Sequence, residues 1–147
     1  MEGLDKKHLL NENAQRNNKS LGYITGISGF GFHIVEVPPE KESTEFHFHK
    51  FEDECVYILS GEGQVTIGED SLQVSKGDFI GYRANGLAHT MKNTGSSNLR
   101  CIVVGERLKH DVVDYPKLGK RLYRNSGQLS ELVDIDNVPN SNADKKT

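Results

Sequence analysis

The sequence predicts an all-β protein, built as a sandwich or barrel of short strands. Short apolar runs recur at regular spacing along the middle of the chain, and turns that contain glycine separate them. The chain has 15 glycines and few long apolar runs, which favours strands joined by tight turns over helices. No segment repeats another, so we expect these strands to form a single barrel.

The bulk properties of the chain exclude several classes of protein. Its 147 residues suit one domain with a buried core, and its net charge of −3 gives no indication of a nucleic-acid partner. No apolar stretch approaches the ~20 residues that span a bilayer, and residues 1–20 lack the apolar core of a signal peptide. Cys55 and Cys101 lie inside predicted strands, as buried free thiols of a reducing compartment do. We therefore expect a cytoplasmic protein.

Both ends of the chain are polar. Residues 1–20 are predicted to form a loosely held arm, because asparagines interrupt any helical period, with a short helix over residues 6–13 as the alternative. Residues 107–125 are charged and are expected to lie back across the barrel or across a partner subunit. Residues 126–147 are expected to be a frayed polar tail. Because sheet edges need covering and pairing between subunits is one solution, we expect a homodimer.

Between these ends, residues 21–106 carry the strand signals. The first strands are expected between Leu21 and Val37, and the two prolines that follow end them, since proline cannot donate to a sheet ladder. Further strands are predicted at residues 44–49, 55–59, 64–67, 72–74, 79–82, 89–93 and 99–105. A short charged link joins the first two strands of this series, so we expect those two to pair with each other antiparallel.

Four side chains in these strands are candidate metal ligands. His47 and His49 are two apart in a predicted strand, so both imidazoles project to one side and can share one ligand. The expected pairing brings the Glu54 carboxylate beside them, and His89 begins a later strand. Three neutral imidazoles and one carboxylate suit a divalent cation such as Fe, Zn, Mn, Ni or Co and leave positions open for water or substrate. The alternative is a barrel that keeps these residues without holding metal.

The stretches around these residues resemble the two sequence motifs of the cupin family. The first motif is matched in residue type and spacing by His47, His49, Glu54 and Gly61. The second motif is matched by Gly77, Asp78, Gly86, His89 and Asn93. Two positions depart from the family pattern, because Lys41 stands where the first motif has a glycine and Arg83 where the second has a proline.

The resemblance implies both a fold and a site. The fold is the single-domain cupin double-stranded β-helix, a jelly-roll barrel, and the likeness to small single-domain cupins extends over most of residues 21–125. The metal ligands that the resemblance implies are His47, His49, Glu54 and His89. The two departures fall at positions that shape loops, so they affect the mouth of the pocket more than the metal.

Other polar side chains near the motifs are interpreted as structural or solvent-exposed. Glu52 and Asp53 are expected to form a solvated turn, and Met91 is expected to fill the core. Arg83 and Arg100 are expected at the surface, with contact to an anionic substrate as the alternative. The histidines outside both motifs, interpreted as incidental, are His8, His33 and His110.

Two classes of function follow from this pattern. In the first, the protein is a small metalloenzyme whose cation acts on a small metabolite, including anionic ones, as a Lewis acid or redox centre. The resemblance to cupins implies an enzyme of the dioxygenase, isomerase or lyase type. In the second, it is a non-catalytic module that binds or senses a small molecule. A storage role gives no reason for an open metal site. The sequence identifies no general base beyond the ligands, and it indicates neither a nucleic-acid nor a membrane partner.

Overall fold

The structure is a computed structural model that describes residues 2–139 of the chain. It confirms the all-β prediction, since its regular elements are thirteen strands, one short α-helix and one 3₁₀ turn. Met1 and residues 140–147, which include the end of the predicted polar tail, lie outside the described residues. Neither helix in the described part of the chain is long and apolar enough to cross a membrane.

The elements follow the chain in this order. The N-terminal half contains β1 (Leu4–His8), β2 (Asn11–Ser20), α1 (Leu21–Ile24), β3 (Phe30–Val37), β4 (Phe48–His49), β5 (Glu54–Ser60) and β6 (Glu62–Ile67). The C-terminal half contains β7 (Asp70–Ser75), β8 (Phe79–Tyr82), β9 (His89–Asn93), β10 (Leu99–Glu106), β11 (His110–Tyr115), β12 (Lys120–Asn125), β13 (Glu131–Asp134) and the 3₁₀ turn Ile135–Asn137.

The strands form the two layers of a jelly roll. One layer is a six-stranded sheet in the order β1-β2-β3-β10-β5-β8. The other combines a four-stranded sheet, β13-β12-β11-β4, with a three-stranded sheet, β7-β6-β9. An antiparallel bridge between His47 and His89 links these two smaller sheets, because His47 directly precedes β4 and His89 begins β9. All the pairings within the sheets are antiparallel, as a jelly roll requires.

The apolar core lies between the two layers. Alternate residues of a strand point to the same face, and on β3 and β5 the inward positions are Val35, Val37, Val56 and Ile58, none more than 5% exposed. The second layer contributes residues such as Val65 of β6 to the same cluster. One continuous core therefore forms without help from a ligand.

The N-terminal segment is a β-hairpin rather than the predicted loosely held arm or short helix. Strands β1 and β2 pair antiparallel, and β2 extends the six-stranded sheet by pairing with β3. Ala14 and Asn18 of β2 are buried, at 2% and 5% exposure. Backbone hydrogen bonds hold these polar strands in the sheet, and such bonds form whatever the polarity of the side chains. The hairpin therefore needs no periodic pattern of apolar residues, and its sequence shows none.

The C-terminal segment also continues the sheets. Strand β11 pairs with both β12 and β4, and β13 adds to β12. Residues 107–125 are therefore part of the second layer, whereas the sequence predicts a segment that lies across the barrel or a partner. The predicted tail likewise contains β13 and a 3₁₀ turn within residues 126–139.

The strand that carries the two neighbouring histidines is shorter than predicted and is paired differently. Only Phe48–His49 is a strand, and it pairs with β11 in the second layer. Strand β5, which begins at Glu54, pairs with β10 and β8 in the six-stranded sheet. The predicted pairing of residues 44–49 with 55–59 is wrong, because the link between them crosses from one layer to the other. Glu54 therefore meets the histidines across the interior of the barrel.

Candidate metal centre

Backbone pairing holds His47 and His89 side by side. The His47 N–H donates to the His89 carbonyl at 3.1 Å, and the His89 N–H donates to the His47 carbonyl at 2.8 Å. Residues paired in this way project their side chains to the same face of the sheet. The ring centroids are 4.7 Å apart, and the two residues are only 6% and 4% exposed. The two sequence motifs thus meet through one bridge of the ladder.

Glu54 reaches these histidines from the opposite layer. Its Oε1 lies 3.6 Å from Nε2 of His89. One ligand-type atom from each of His47, Glu54 and His89 lies within 4.8 Å of the other two. These three residues, called the inner triad below, are close enough to share one cation.

His49 lies beside the inner triad, but its ring nitrogens are not within 4.8 Å of ligand atoms from all three members. Its ring centroid is 5.1 Å from that of His47, and it lines the same cavity as the inner triad. Its Nδ1 donates to Oδ2 of Asp111 at 2.6 Å. The residues whose ligand-type atoms lie close to those of His49 are Glu52 and Asp111. The structure therefore brings three of the four predicted ligands directly together and sets His49 next to them.

All three imidazoles use Nδ1 for a hydrogen bond. Nδ1 of His47 and of His89 lies 2.7 Å and 3.3 Å from the backbone carbonyl oxygen two residues earlier, and Nδ1 of His49 faces Asp111. An imidazole that donates from Nδ1 keeps a lone pair on Nε2, the form that binds a metal. Nε2 of His89 is buried and has no hydrogen-bond partner among residues 2–139. A buried, unsatisfied nitrogen is costly, and a cation would satisfy it.

The charge states of the inner triad also suit a cation. Burial lowers the pKa of His47 to about 3, and the charge of His89 adds to this effect, so the imidazole is neutral at physiological pH. Burial alone would raise the pKa of Glu54, but its interaction with His89 and the nearby His47 and His49 outweigh burial and lower that pKa. A neutral imidazole and an ionised carboxylate are the forms that ligate metals.

The inner triad and His49 line one cavity of about 360 Å³. Ligand sites in proteins typically occupy ~300–1,000 Å³, so this cavity suits a small metabolite. The Tyr82 ring stacks on the His89 ring with centroids 3.5 Å apart and planes 2° apart, which fixes the orientation of that imidazole. The basic residues in the lining, besides histidines, are Lys6, Arg16, Arg107 and Arg124.

A network of buried charges supports His49. Asp111 is 1% exposed and Glu52 is 5% exposed. Arg124 forms an ion pair with Glu52, and its Nη2 also lies 4.0 Å from Oδ2 of Asp111. Burial lowers the pKa of His49, but the Asp111 hydrogen bond and the nearby carboxylates outweigh burial and raise it. Arg124 pairs with these carboxylates, and Asp111 also accepts the His49 N–H, so we interpret the network as support for His49 rather than as a second metal site.

Other candidates from the sequence have mixed outcomes. Glu52 is buried in this network, so the prediction that it belongs to a solvated turn is wrong. Met91 is 3% exposed and belongs to the core cluster, as predicted. Arg100 is a surface residue beside Glu36, and Arg83 borders an outer groove that Glu54 also lines. Neither arginine lines the cavity of the inner triad.

Several residues of the cavity carry no signal in the sequence. His8 and His33, interpreted as incidental, line it, whereas His110 is exposed beside Asn125. Arg16 also lines it, although it lies in the polar stretch predicted as an arm. These residues reach the cavity through the hairpin and through β3, and no motif spacing marks their positions.

Comparisons with known proteins agree with this fold. Residues 33–105 match the family model described as "Cupin domain". A crystal structure from Acidithiobacillus ferrooxidans, of a protein provisionally named a sugar phosphate isomerase, is 45% identical with a TM-score of 0.92, and the match covers 96% of this chain and 90% of that one. The curated oxalate-binding protein of Thermotoga maritima is 29% identical over 101 residues, which are 69% of this chain and 74% of that protein.

A further structure supports the fold alone. It is a cupin-superfamily sugar phosphate isomerase from Silicibacter pomeroyi, 22% identical with a TM-score of 0.82, and the match covers 95% of this chain and 90% of that one. The family model spans both motifs and all three residues of the inner triad. With a relative of 45% identity aligned over nearly its full length as well, the chain belongs to the cupin superfamily.

Proposed function

We propose that the protein is a metal-dependent enzyme that isomerises a small phosphorylated sugar, with one divalent cation held by the inner triad and His49. The main observation in support of a metal site concerns Nε2 of His89. This nitrogen is buried, has no hydrogen-bond partner in residues 2–139 and lies 3.6 Å from Oε1 of Glu54. The basic lining of the same cavity supports an anionic substrate. The 45% identical relative, provisionally named a sugar phosphate isomerase, supports the reaction class.

The donor set fits a first-row divalent cation. Imidazole nitrogens and a carboxylate oxygen suit Fe, Zn, Mn, Ni or Co, and these four side chains would leave room for a substrate oxygen on the cation. When bound, such a cation acts as a Lewis acid that stabilises negative charge on a substrate oxygen.

The side chains of this protein orient the donors and shape the surroundings of the substrate. The Nδ1 hydrogen bonds of His47 and His49 fix the tautomers that keep Nε2 available. Apolar side chains from both layers, such as Val56 and Met91, form part of the cavity wall. Beside such apolar walls, which have a lower dielectric constant than water, each charge acts on the substrate more strongly than it would in bulk water.

Interconversion of phosphorylated sugars tests this proposal. The untagged protein, supplied in turn with each of the five metals, is incubated with aldose and ketose phosphates and followed by ¹H and ³¹P NMR. We expect at least one pair to interconvert, and we expect Glu54→Gln protein to lose the activity together with its metal. The same sugars without phosphate serve as controls. Failure to convert any phosphorylated sugar with any of the metals would contradict the catalytic proposal.

A non-catalytic binding module is the second candidate. It is favoured by the 29% identity to an oxalate-binding protein. In that case oxalate would raise the melting temperature of the metal-loaded protein and would be recovered unchanged. An enzyme that acts on phosphorylated sugars would instead turn over a member of the sugar panel and bind oxalate only as a competitor.

The proposal also includes a homodimer in the cytoplasm. Strands β1 and β8 are the two edges of the six-stranded sheet, and unpaired strand edges favour pairing with another chain. Sedimentation of the purified protein at twice the chain mass of 16.4 kDa is expected. Cys55 and Cys101 are free thiols, which suits a reducing compartment. Cell fractionation with an antibody against the protein tests the location.

A further inference from the structure

Three cationic side chains from neighbouring parts of the six-stranded sheet line the cavity. Lys6 lies on β1, Arg16 lies on β2, and Arg107 directly follows β10. They line the same cavity as the inner triad, so one small molecule in that cavity can face both groups. None of the three has a carboxylate oxygen within 4.0 Å among the described residues.

Arg16 is the centre of this group. The residue is half-buried, and within residues 2–139 the only hydrogen bond of its side chain runs from Nη1 to the Ser43 carbonyl at 3.1 Å. A guanidinium carries several further N–H donors in a planar fork, and the fork matches two oxygens of one anion. The arginines of the second layer differ, because Arg121 pairs with Asp114 and Arg124 with Glu52.

The three cations act on one another. Burial lowers the pKa of Lys6, and the charges of Arg16 and Arg107 lower it further. Burial also lowers the pKa of Arg16, although the Glu54 carboxylate opposes that change. Like charges gathered at a partly buried surface repel one another unless an anion neutralises them.

A close contact limits the freedom of Arg107. Its Nη2 lies 3.4 Å from Nε2 of His33. A Cβ added at Gly31 would lie 2.6 Å from Nε2 of His33 and 3.1 Å from Nε of Arg107. Glycine at this position therefore leaves room for both side chains to pack over β3, beside the cavity.

We infer that Lys6, Arg16 and Arg107 form a subsite for the phosphate of the substrate, while the inner triad faces its reacting end. This inference rests on the proposed function and adds the residues that hold the phosphate. A phosphate monoester carries about two negative charges at neutral pH and three acceptor oxygens. It therefore matches a cluster of three cations better than a ligand with a single carboxylate group would. The N-terminal hairpin is thereby part of the substrate site.

Inorganic phosphate is the probe, because it tests the subsite without a known sugar. Its binding to the full-length, untagged protein is measured by isothermal titration at fixed ionic strength, before and after metal removal by chelation. We expect binding to persist without metal, since the subsite consists of side chains. We expect Arg16→Gln to weaken binding about tenfold or more, because hydrogen bonds to charged groups are among the stronger ones.

Matched variants separate the subsite from a general charge effect. Lys6→Gln is expected to weaken phosphate binding, whereas Lys7→Gln, its neighbour on β1 outside the cavity, is expected to leave it unchanged. Arg100→Gln provides the corresponding arginine control at the surface. Arg16→Lys keeps the charge and is expected to retain part of the affinity. Circular dichroism and the melting temperature verify that each variant is folded.

The outcomes distinguish this inference from the proposed function. Phosphate binding that disappears on chelation, or that Arg16→Gln and Lys6→Gln leave unchanged in folded protein, overturns the subsite whatever the metal content. Equal weakening by Lys7→Gln and Lys6→Gln also overturns it. Failure of the metal site is measured separately, by elemental analysis of the same preparations. A chain without metal that still binds phosphate through Arg16 supports the subsite and contradicts only the metal-dependent reaction.

Discussion

Nδ1 of His49 donates to Oδ2 of Asp111 across 2.6 Å, and Asp111 is almost completely buried. Asp111 also accepts the backbone N–H of Phe51 at 3.2 Å through its other oxygen. The carboxylate thus holds both the imidazole and the start of the link that crosses between the layers. A carboxylate in this position fixes the tautomer and orientation of a histidine ligand.

Asp111→Asn is therefore expected to weaken metal binding about 10–100-fold without removing a ligand, the usual effect of replacing an outer partner. An asparagine keeps the size of the side chain but removes its charge, so His49 loses the preference for its Nδ1–H tautomer. Metal affinity is measured by competition with a chromogenic chelator. Asp114→Asn on the same strand is the control, because Asp114 pairs with Arg121 outside this network. Equal affinities for wild-type and Asp111→Asn protein would contradict the role assigned to Asp111.

Removal of a ligand should have a larger effect than removal of its support. His49→Ala and Glu54→Ala are each expected to lose most of the bound metal, because one of four donors disappears. Elemental analysis of untagged protein gives the metal content per chain. His110→Ala is the matched control, since His110 is exposed and bonds to Asn125. Unchanged stoichiometry in the Glu54 variant would refute the assignment of Glu54 as a ligand.

The sequence predicts the strands of the central barrel well because side-chain alternation marks them. The predicted strands at residues 79–82 and 89–93 coincide with β8 and β9, and the predicted strand at 55–59 lies within β5. The pairing partners are harder to predict, since a link as short as residues 50–53 can either turn a hairpin or cross between layers. His47 and Glu54 come together by the second route, although proximity in sequence favours the first.

The N-terminal hairpin shows a second limit of sequence patterns. Its residues are mostly polar, and the sheet holds them through backbone hydrogen bonds that leave no apolar signature. Arg16 is consequently predicted as part of an arm, whereas it lines the cavity. His47, Glu54 and His89 are predictable because motif spacing identifies them before their neighbours are known.

Metal removal is expected to lower the melting temperature without unfolding the protein. The core around Ile58 and Val65 is complete without a cation. A ligand present at 100 times its Kd adds about 2.7 kcal/mol to the stability of the folded state, which corresponds to a shift of roughly 5–10 °C for a domain of this size. Differential scanning calorimetry before and after chelation measures the shift.

A core variant provides the comparison for this experiment. Ile58→Ala removes a fully buried side chain and is expected to cost about 2–5 kcal/mol both with and without metal. Complete unfolding of wild-type protein on chelation would instead indicate a structural metal site, as in small domains that fold only around an ion.

The two cysteines should differ in their reactivity in the folded protein. Cys101 is fully buried in β10, and burial raises the pKa of its thiol to about 12 against the opposing charge of Arg16. Cys55 is only half-buried, although burial and Glu54 raise the pKa of its thiol as well. In the ladder Cys55 is opposite Val104, and Cys101 is opposite Ile58, so the two thiols are not neighbours across the strands.

Only the thiolate reacts with a maleimide, and a raised pKa reduces the thiolate fraction at any fixed pH below it. At pH 7.5 we therefore expect Cys101 to remain unmodified in the folded protein and Cys55 to react slowly, with both reacting fully in guanidinium chloride. Intact-mass spectrometry counts the additions, and Cys55→Ser protein isolates Cys101. Because Cys101 also lines the cavity, rapid modification in the folded Cys55→Ser protein would mean either that the reagent enters the cavity or that β10 opens easily. Because β10 pairs with both β3 and β5 at the centre of the six-stranded sheet, such opening would separate Glu54 from the histidines.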